Sequence, residues 1–222
     1  MFFTQKPQEE IARKRFFFRQ KAKELKVASH LIRYVYGQAV QTGLPVFSSY
    51  GNRQQGESFA ARLANEAEKV YAQGYEQLLI IGNDCPAITT EALLQAARSC
   101  EAGNLVLGPA EDGGVYLIAL PKSGFDKARF LQLPWESDQL FEAFCQWQVP
   151  QEILPPLIDI DSPRELVRAF QFLPDRHPLV GWFRHLLTIR VPVRFWVFLD
   201  RPGRLILRFI SLRAPPMPTR HI

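Results

Sequence analysis

Three short apolar runs in this chain each lead straight into a loop that carries aspartate, and this repeated pattern constrains the fold more than any other feature. Gln77–Ile81 (QLLII) runs into GNDCP with Asp84, and Asn104–Gly108 (NLVLG) runs into PAEDGG with Asp112. Leu157–Ile160 ends in DIDSP, with Asp159 and Asp161. Short apolar runs bounded by turn residues are the signature of buried parallel strands. Val115–Leu120 reads as a further strand, and Met1–Thr4 and Leu44–Ser49 (LPVFSS) as short ones around a loop at Gly51–Gly56.

Helical segments lie between the strands. Residues 9–43 read as one helical stretch, with few breakers before Gly37 and Gly43. Ser58–Ala72 repeats Phe59, Leu63, Ala67 and Val70 on one helical face. Thr89 or Thr90 can cap a helix running to about Ala102, and Ser137–Gln146 reads as another. Ser162–Phe170 is a helix with Pro163 and Glu165 in its first turn. Strand and helix alternate, which predicts an α/β fold with a mostly parallel central sheet flanked by helices.

In open α/β sheets, ligands bind beyond the carboxyl ends of the strands, where these acidic loops fall. Carboxylates converging there suit a hard divalent cation, Mg²⁺ or Mn²⁺, which neutralises phosphate oxygens. Gly113 and Gly114 beside Asp112 would let a flat ligand or a phosphate approach the backbone. The alternative is that the three loops are ordinary turns, with Asp161 and Ser162 capping a helix. Arg13, Lys14 and Arg15 offer charge for phosphate, or form a solvated helix face. Trp135 and Tyr116 can stack on a base or sugar, or simply pack.

Charge divides the 222-residue chain. Leu179–Ile222 holds eight arginines, no lysine and one acid, a net of +7. Residues 1–178 hold 19 basic against 21 acidic residues, a net of −2. That slightly acidic body argues against a nucleic-acid partner. Cys85, Cys100 and Cys145 have no close pairing, which argues against disulfides and a CxxC metal site, so each reads as a small buried filler in a reducing cytoplasm. The four histidines show no ligand spacing, so zinc is not expected. No signal peptide or membrane-spanning stretch is evident.

Taken in order, IIGNDCPAITTEALLQA, LGPAEDGGVYLIAL, LPWESDQLFEAF and DIDSPREL resemble a bacterial group of GT-A-type proteins, the radical-SAM/selenodomain-associated transferases. The resemblance covers roughly residues 3–170 and implies a GT-A, Rossmann-like nucleotide-diphospho-sugar transferase fold. It matches Asp84 to the family's GxDxP aspartate, near metal and nucleotide phosphates, and Asp112, Gly113 and Gly114 to its DGG loop, facing sugar or acceptor. Trp135 matches its W-S/T element. Asp159 and Asp161 match its DxDTPEDL element, with Asp161 the second metal ligand beside Asp84. Gly56 and Arg62 match its QGxxLGERM segment. Pro7 and Arg15 keep their places in its FTRxPxxGxxKTRL opening, Arg13 replaces the lysine, and Glu10 stands where the loop glycine would be.

The resemblance therefore implies a metal-dependent, glycosyltransferase-like enzyme. Asp84, Asp112 and Asp161 would be catalytic. Arg13, Arg15, Gly56, Arg62, Gly113, Gly114 and Trp135 would bind a nucleotide-sugar or a nucleoside triphosphate, with the acceptor unknown. Two alternatives stay open. One is a nucleotidyltransferase that releases pyrophosphate; the other is a non-catalytic nucleotide-binding or membrane-associated scaffold, which Glu10 favours. The expected division is a transferase domain at 1–175 and a basic, apolar extension at 176–222. The extension reads as a β-hairpin around Asp200–Gly203, as a basic amphipathic helix on an anionic membrane, or as a segment packed on the domain or on a second copy of the chain. The expected location is the cytoplasm, with peripheral membrane attachment through that extension.

Overall fold

The computed structural model describes residues 1–14, 20–188, 197–199 and 205–207. The chain divides into two compact units, Met1–Leu173 and Pro174–Ile222. The first is built on a six-stranded sheet in the order β2-β1-β3-β5-β4-β6. Its strands are β1 (Phe2–Thr4), β2 (Ser48–Tyr50), β3 (Gln77–Ile81), β4 (Leu105–Pro109), β5 (Val115–Pro121) and β6 (Gln151–Ile153). Strand β1 pairs in parallel with β2 and β3, and β4 in parallel with β6. Only β5 is reversed, lying antiparallel between β3 and β4. The sheet is thus mixed but mostly parallel.

Period-two alternation along the strands sorts the core into two layers. Phe3, Leu105, Leu107, Ile118 and Leu120 face one side, with Leu63, Ala64, Ala67 and Val70 of α3 (Phe59–Tyr71). The same layer holds Phe130 of α5 (Lys127–Leu131) and Phe144 of α6 (Leu140–Cys145). Phe2, Val106, Leu117 and Ala119 face the other side. They meet Val35 and Ala39 of α2 (Lys21–Gln41) and Leu93, Ala96 and Cys100 of α4 (Thr90–Glu101). Helices on both faces explain why the central strands carry continuous apolar runs.

Helix starts follow local chemistry. The Ser58, Thr89 and Ser162 hydroxyls accept from Ala61, Ala92 and Glu165 N–H and cap α3, α4 and α7 (Pro163–Phe172). Of the two threonines suited to cap α4, Thr89 does so, and Thr90 bonds Gln38 instead.

Three expectations change. The helix expected over 9–43 is two helices, α1 (Pro7–Arg13) and α2, because the backbone turns extended at Lys14 (φ −108°, ψ 130°). The strand expected at Leu157–Ile160 is an irregular segment with one bridge, Ala110 to Leu157, and the edge of the sheet is instead β6. All three cysteines are free as expected, but Cys145 is exposed, because it ends the short helix α6.

The second unit contains α8 (Pro178–Thr188), whose Leu179, Val180, Phe183 and Leu186 are buried. It also contains an antiparallel pair, β7 (Val197–Leu199) with β8 (Leu205–Leu207). At those six residues the hairpin reading of the tail matches the structure. Arg190, Arg194, Arg201, Arg204, Arg208 and Arg213 lie outside the described residues. No helix among the described residues is long and apolar enough to cross a membrane.

Candidate functional site

The carboxyl ends of β1 and β3, the loop that follows β4 and the start of β5 line a cavity of about 520 Å³, within the range of small-molecule sites. Strand β3 ends at Ile81, and Gly82 and Asn83 deliver Asp84 to its wall. Strand β4 leads to Asp112. The 157–161 segment is pinned alongside by a hydrogen bond from Ile160 N–H to the Asp84 carbonyl (3.0 Å), which brings Asp159 and Asp161 in. The acidic loops, distant in sequence, therefore converge as the strand-end pattern anticipates.

A lysine lies at their centre. The extended turn that ends α1 puts the Lys14 ammonium 2.5 Å from Asp84 Oδ2 and 2.6 Å from Asp161 Oδ1. Glu10 Oε2 stands 3.9 Å away. The Lys14 side chain is only 17% exposed, so its ion pairs replace lost hydration. Burial alone would push its pKa down. The charges of Asp84, Asp161 and Glu10 override that and hold the ammonium protonated, above the ordinary lysine range.

Two further acids are shaped by burial. Asp159 Oδ1 is sealed from water and has no hydrogen-bond partner. Burial, then the charge of Asp84, pushes the Asp159 carboxyl well above the usual carboxylate range, against the pull of Lys14. Glu10, where the resembling family has glycine, is buried and accepts from Gln5 N–H (3.3 Å). Burial raises its pKa, and Lys14 lowers it in part.

The remaining residues singled out by sequence separate into two groups. Arg13, Gly114 and Trp135 line the cavity with Asp84, Asp112 and Asp161. Arg13 pairs with Glu136 at an exposed position. Trp135 Nε1–H donates to the Phe130 carbonyl (2.8 Å), and its ring leans on Phe59, Phe130 and Phe144, so it is packed and lines the cavity at once. Asp112 Oδ1 accepts from Gly114 N–H (2.9 Å), closing its own turn.

Gly56, Arg62 and Gly113 are not among the residues that line this cavity. A Cβ on Gly56 would meet Arg62 N at 2.7 Å, so that glycine lets its loop close on the start of α3. A Cβ on Gly113, at φ +90°, would lie 2.0 Å from the Asp138 carbonyl oxygen. Gly113 thus serves the contact between its loop and the Trp135–Asp138 loop rather than ligand approach. Tyr116 belongs with the lining residues but is buried, its hydroxyl donating to the Pro155 carbonyl (3.1 Å). Arg15 lies outside the described residues.

The divalent ion expected between Asp84 and Asp161 does not fit this arrangement. Asp159 offers a spare oxygen, but Lys14 Nζ already bridges Asp84 and Asp161. No three His, Cys, Asp or Glu side chains are arranged to hold a metal ion among the described residues. From sequence, Lys14 is offered to phosphate only as one of three neighbouring basic residues, and Asp159 has no role of its own; the contact of Lys14 with Asp84 and Asp161 is what the structure adds.

Fold and site together define a mixed α/β protein with a carboxylate–lysine cluster at the strand ends. Residues 19–137 match DUF2064, described as uncharacterized protein conserved in bacteria, and the chain belongs to that family. Among solved structures, the chain is similar to a putative nucleotide-diphospho-sugar transferase from Desulfovibrio desulfuricans G20. That match has 20% identity and a TM-score of 0.71, covering 83% of this chain and 92% of the other. Rv0371c from Mycobacterium tuberculosis H37Rv matches at 11% identity and a TM-score of 0.43, over 76% of this chain and 95% of that one. No curated protein matches the chain.

Proposed function

We propose that this protein is a transferase acting on a nucleotide-activated substrate, a nucleotide-diphospho-sugar, in the cavity at the ends of β1 and β3 and the loop after β4. The observation that carries this reading is the meeting of Lys14, Asp84, Asp161 and the unpartnered Asp159 in a cavity walled by Trp135. The Desulfovibrio similarity and the resemblance to radical-SAM/selenodomain-associated transferases support the same class.

In this reading Lys14 and Arg13 meet the diphosphate, and Trp135 flanks the base or sugar. Asp84 and Asp161 hold Lys14 in position, and Asp112 orients the acceptor. Transfer breaks the bond between the sugar carbon and the phosphate oxygen, and an acceptor hydroxyl takes that carbon and gives up its proton to solvent. The nucleoside diphosphate leaves with the electron pair. Positive charge held at the leaving phosphate stabilises the charge that develops there.

Incubation with labelled nucleotide-sugars and nucleoside triphosphates distinguishes the branches. Nucleoside diphosphate release supports glycosyl transfer, and pyrophosphate release supports nucleotidyl transfer instead. Buried Glu10 favours a second reading, a non-catalytic nucleotide-binding member, because its carboxyl occupies the cavity wall where the resembling family has glycine. That reading predicts nucleotide binding without either product.

A further inference from the structure

The cation position of the site is filled from within the chain. Two carboxylates from separate loops, Asp84 and Asp161, close on one ammonium at 2.5 and 2.6 Å. A third, Glu10, stands behind at 3.9 Å, beyond hydrogen-bond distance. Lys14 reaches the position because α1 ends at Arg13 and the next residue is extended, so its side chain leaves the helix face and turns to the sheet. Hard divalent ions are held by the same kind of group, one or two carboxylates converging on a single point.

We propose that Lys14 is the built-in cation of this site: its ammonium takes the place of a divalent ion between Asp84 and Asp161 and keeps Mg²⁺ or Mn²⁺ out. The proposal rests on the transferase reading for its consequence but not for its geometry. The consequence is that the diphosphate of the donor is held by a tethered charge, so donor binding is independent of divalent ions. An ammonium has three N–H groups. Asp84 and Asp161 take two, which leaves one for a phosphate oxygen.

Titration of the full chain with Mn²⁺ alone, followed by electron paramagnetic resonance, tests the exclusion. The wild type and Lys14→Arg are expected to show no saturable site in the micromolar range. Lys14→Met is expected to bind Mn²⁺ more tightly by on the order of tenfold or more, and Lys14→Met with Asp84→Asn to lose that gain. Mn²⁺ should also raise the melting temperature of Lys14→Met and leave that of the wild type unchanged. If Lys14→Met does not fold, Lys14→Gln and the wild type still decide. Wild-type Mn²⁺ binding that Asp84→Asn abolishes would overturn the proposal.

Calorimetry with a nucleotide-sugar panel in EDTA tests the consequence. Binding by the wild type that adding Mn²⁺ does not strengthen supports it, whereas binding that requires Mn²⁺ overturns it. If no nucleotide binds with or without metal, the transferase reading fails, while the Mn²⁺ titration still judges the exclusion.

Discussion

An ammonium taken out of water loses hydration that only well-placed anions replace, and removing one partner strands the others. Lys14 is the common partner of Asp84 and Asp161, so Lys14→Met leaves carboxylates facing each other across a cavity wall. A loss of on the order of 3 kcal/mol in unfolding free energy is expected, with Lys14→Arg losing less; urea titration checks both. Asp159 acts in the other direction. Its carboxyl binds a proton more tightly folded than unfolded, because burial and Asp84 raise its pKa. Its contribution is therefore full below the ordinary aspartate value and is lost as pH rises through the raised one. Asp159→Asn should flatten the fall in melting temperature across that window. An unchanged slope would mean that Asp159 is not the buried acid described. At this scale Asp84 and Asp161 were legible, because strand ends carry ligands in such sheets. Lys14 was legible only as one of three neighbouring basic residues offered to phosphate, since a helix drawn through 9–43 gives no reason to single it out or to bring it to the carboxylates. Its role appears only once the helix is seen to break.

Elements were legible where burial on both faces wrote a continuous apolar run. Gln77–Ile81 is a strand over the residues expected, and β4, β5, α3 and α4 fall within a residue or two of expectation. Strand β6 escaped notice because it is a three-residue edge strand paired only with β4, reading QEI with no buried residue. The apolar residues at Leu157–Ile160 instead mark a segment tied to Asp84, where Ile158 and Ile160 are buried without a ladder. Gly113 is the element-scale test. Gly113→Ala forces a methyl group toward the Asp138 carbonyl, which it would approach to 2.0 Å. The 110–114 and 135–138 loops must then separate. A lower melting temperature and an altered near-ultraviolet circular dichroism spectrum from Trp135 are expected. At the start of α4, Thr89→Ala should cost about 1 kcal/mol by loss of its cap, read by urea titration.

At the scale of the whole chain, net charge of +5 is an average over two different parts. The part that builds the sheet and its carboxylate site is slightly acidic, and the surplus lies in Leu179–Ile222, eight arginines against one acid. Such a segment, rich in arginine and bulky apolar residues, suits an anionic membrane surface. The full chain is expected to sediment with anionic vesicles, less so as salt rises, and not with neutral ones; equal sedimentation with both would contradict this. The central claim concerns the other part of the chain, and calorimetry tests it most directly: titration of the full protein with a panel of nucleotide-diphospho-sugars, beside Asp84→Ala. Saturable binding of at least one nucleotide-sugar by the wild type, weakened by Asp84→Ala, is the result predicted. No binding at millimolar nucleotide, with Asp84→Ala indistinguishable from the wild type, would contradict it.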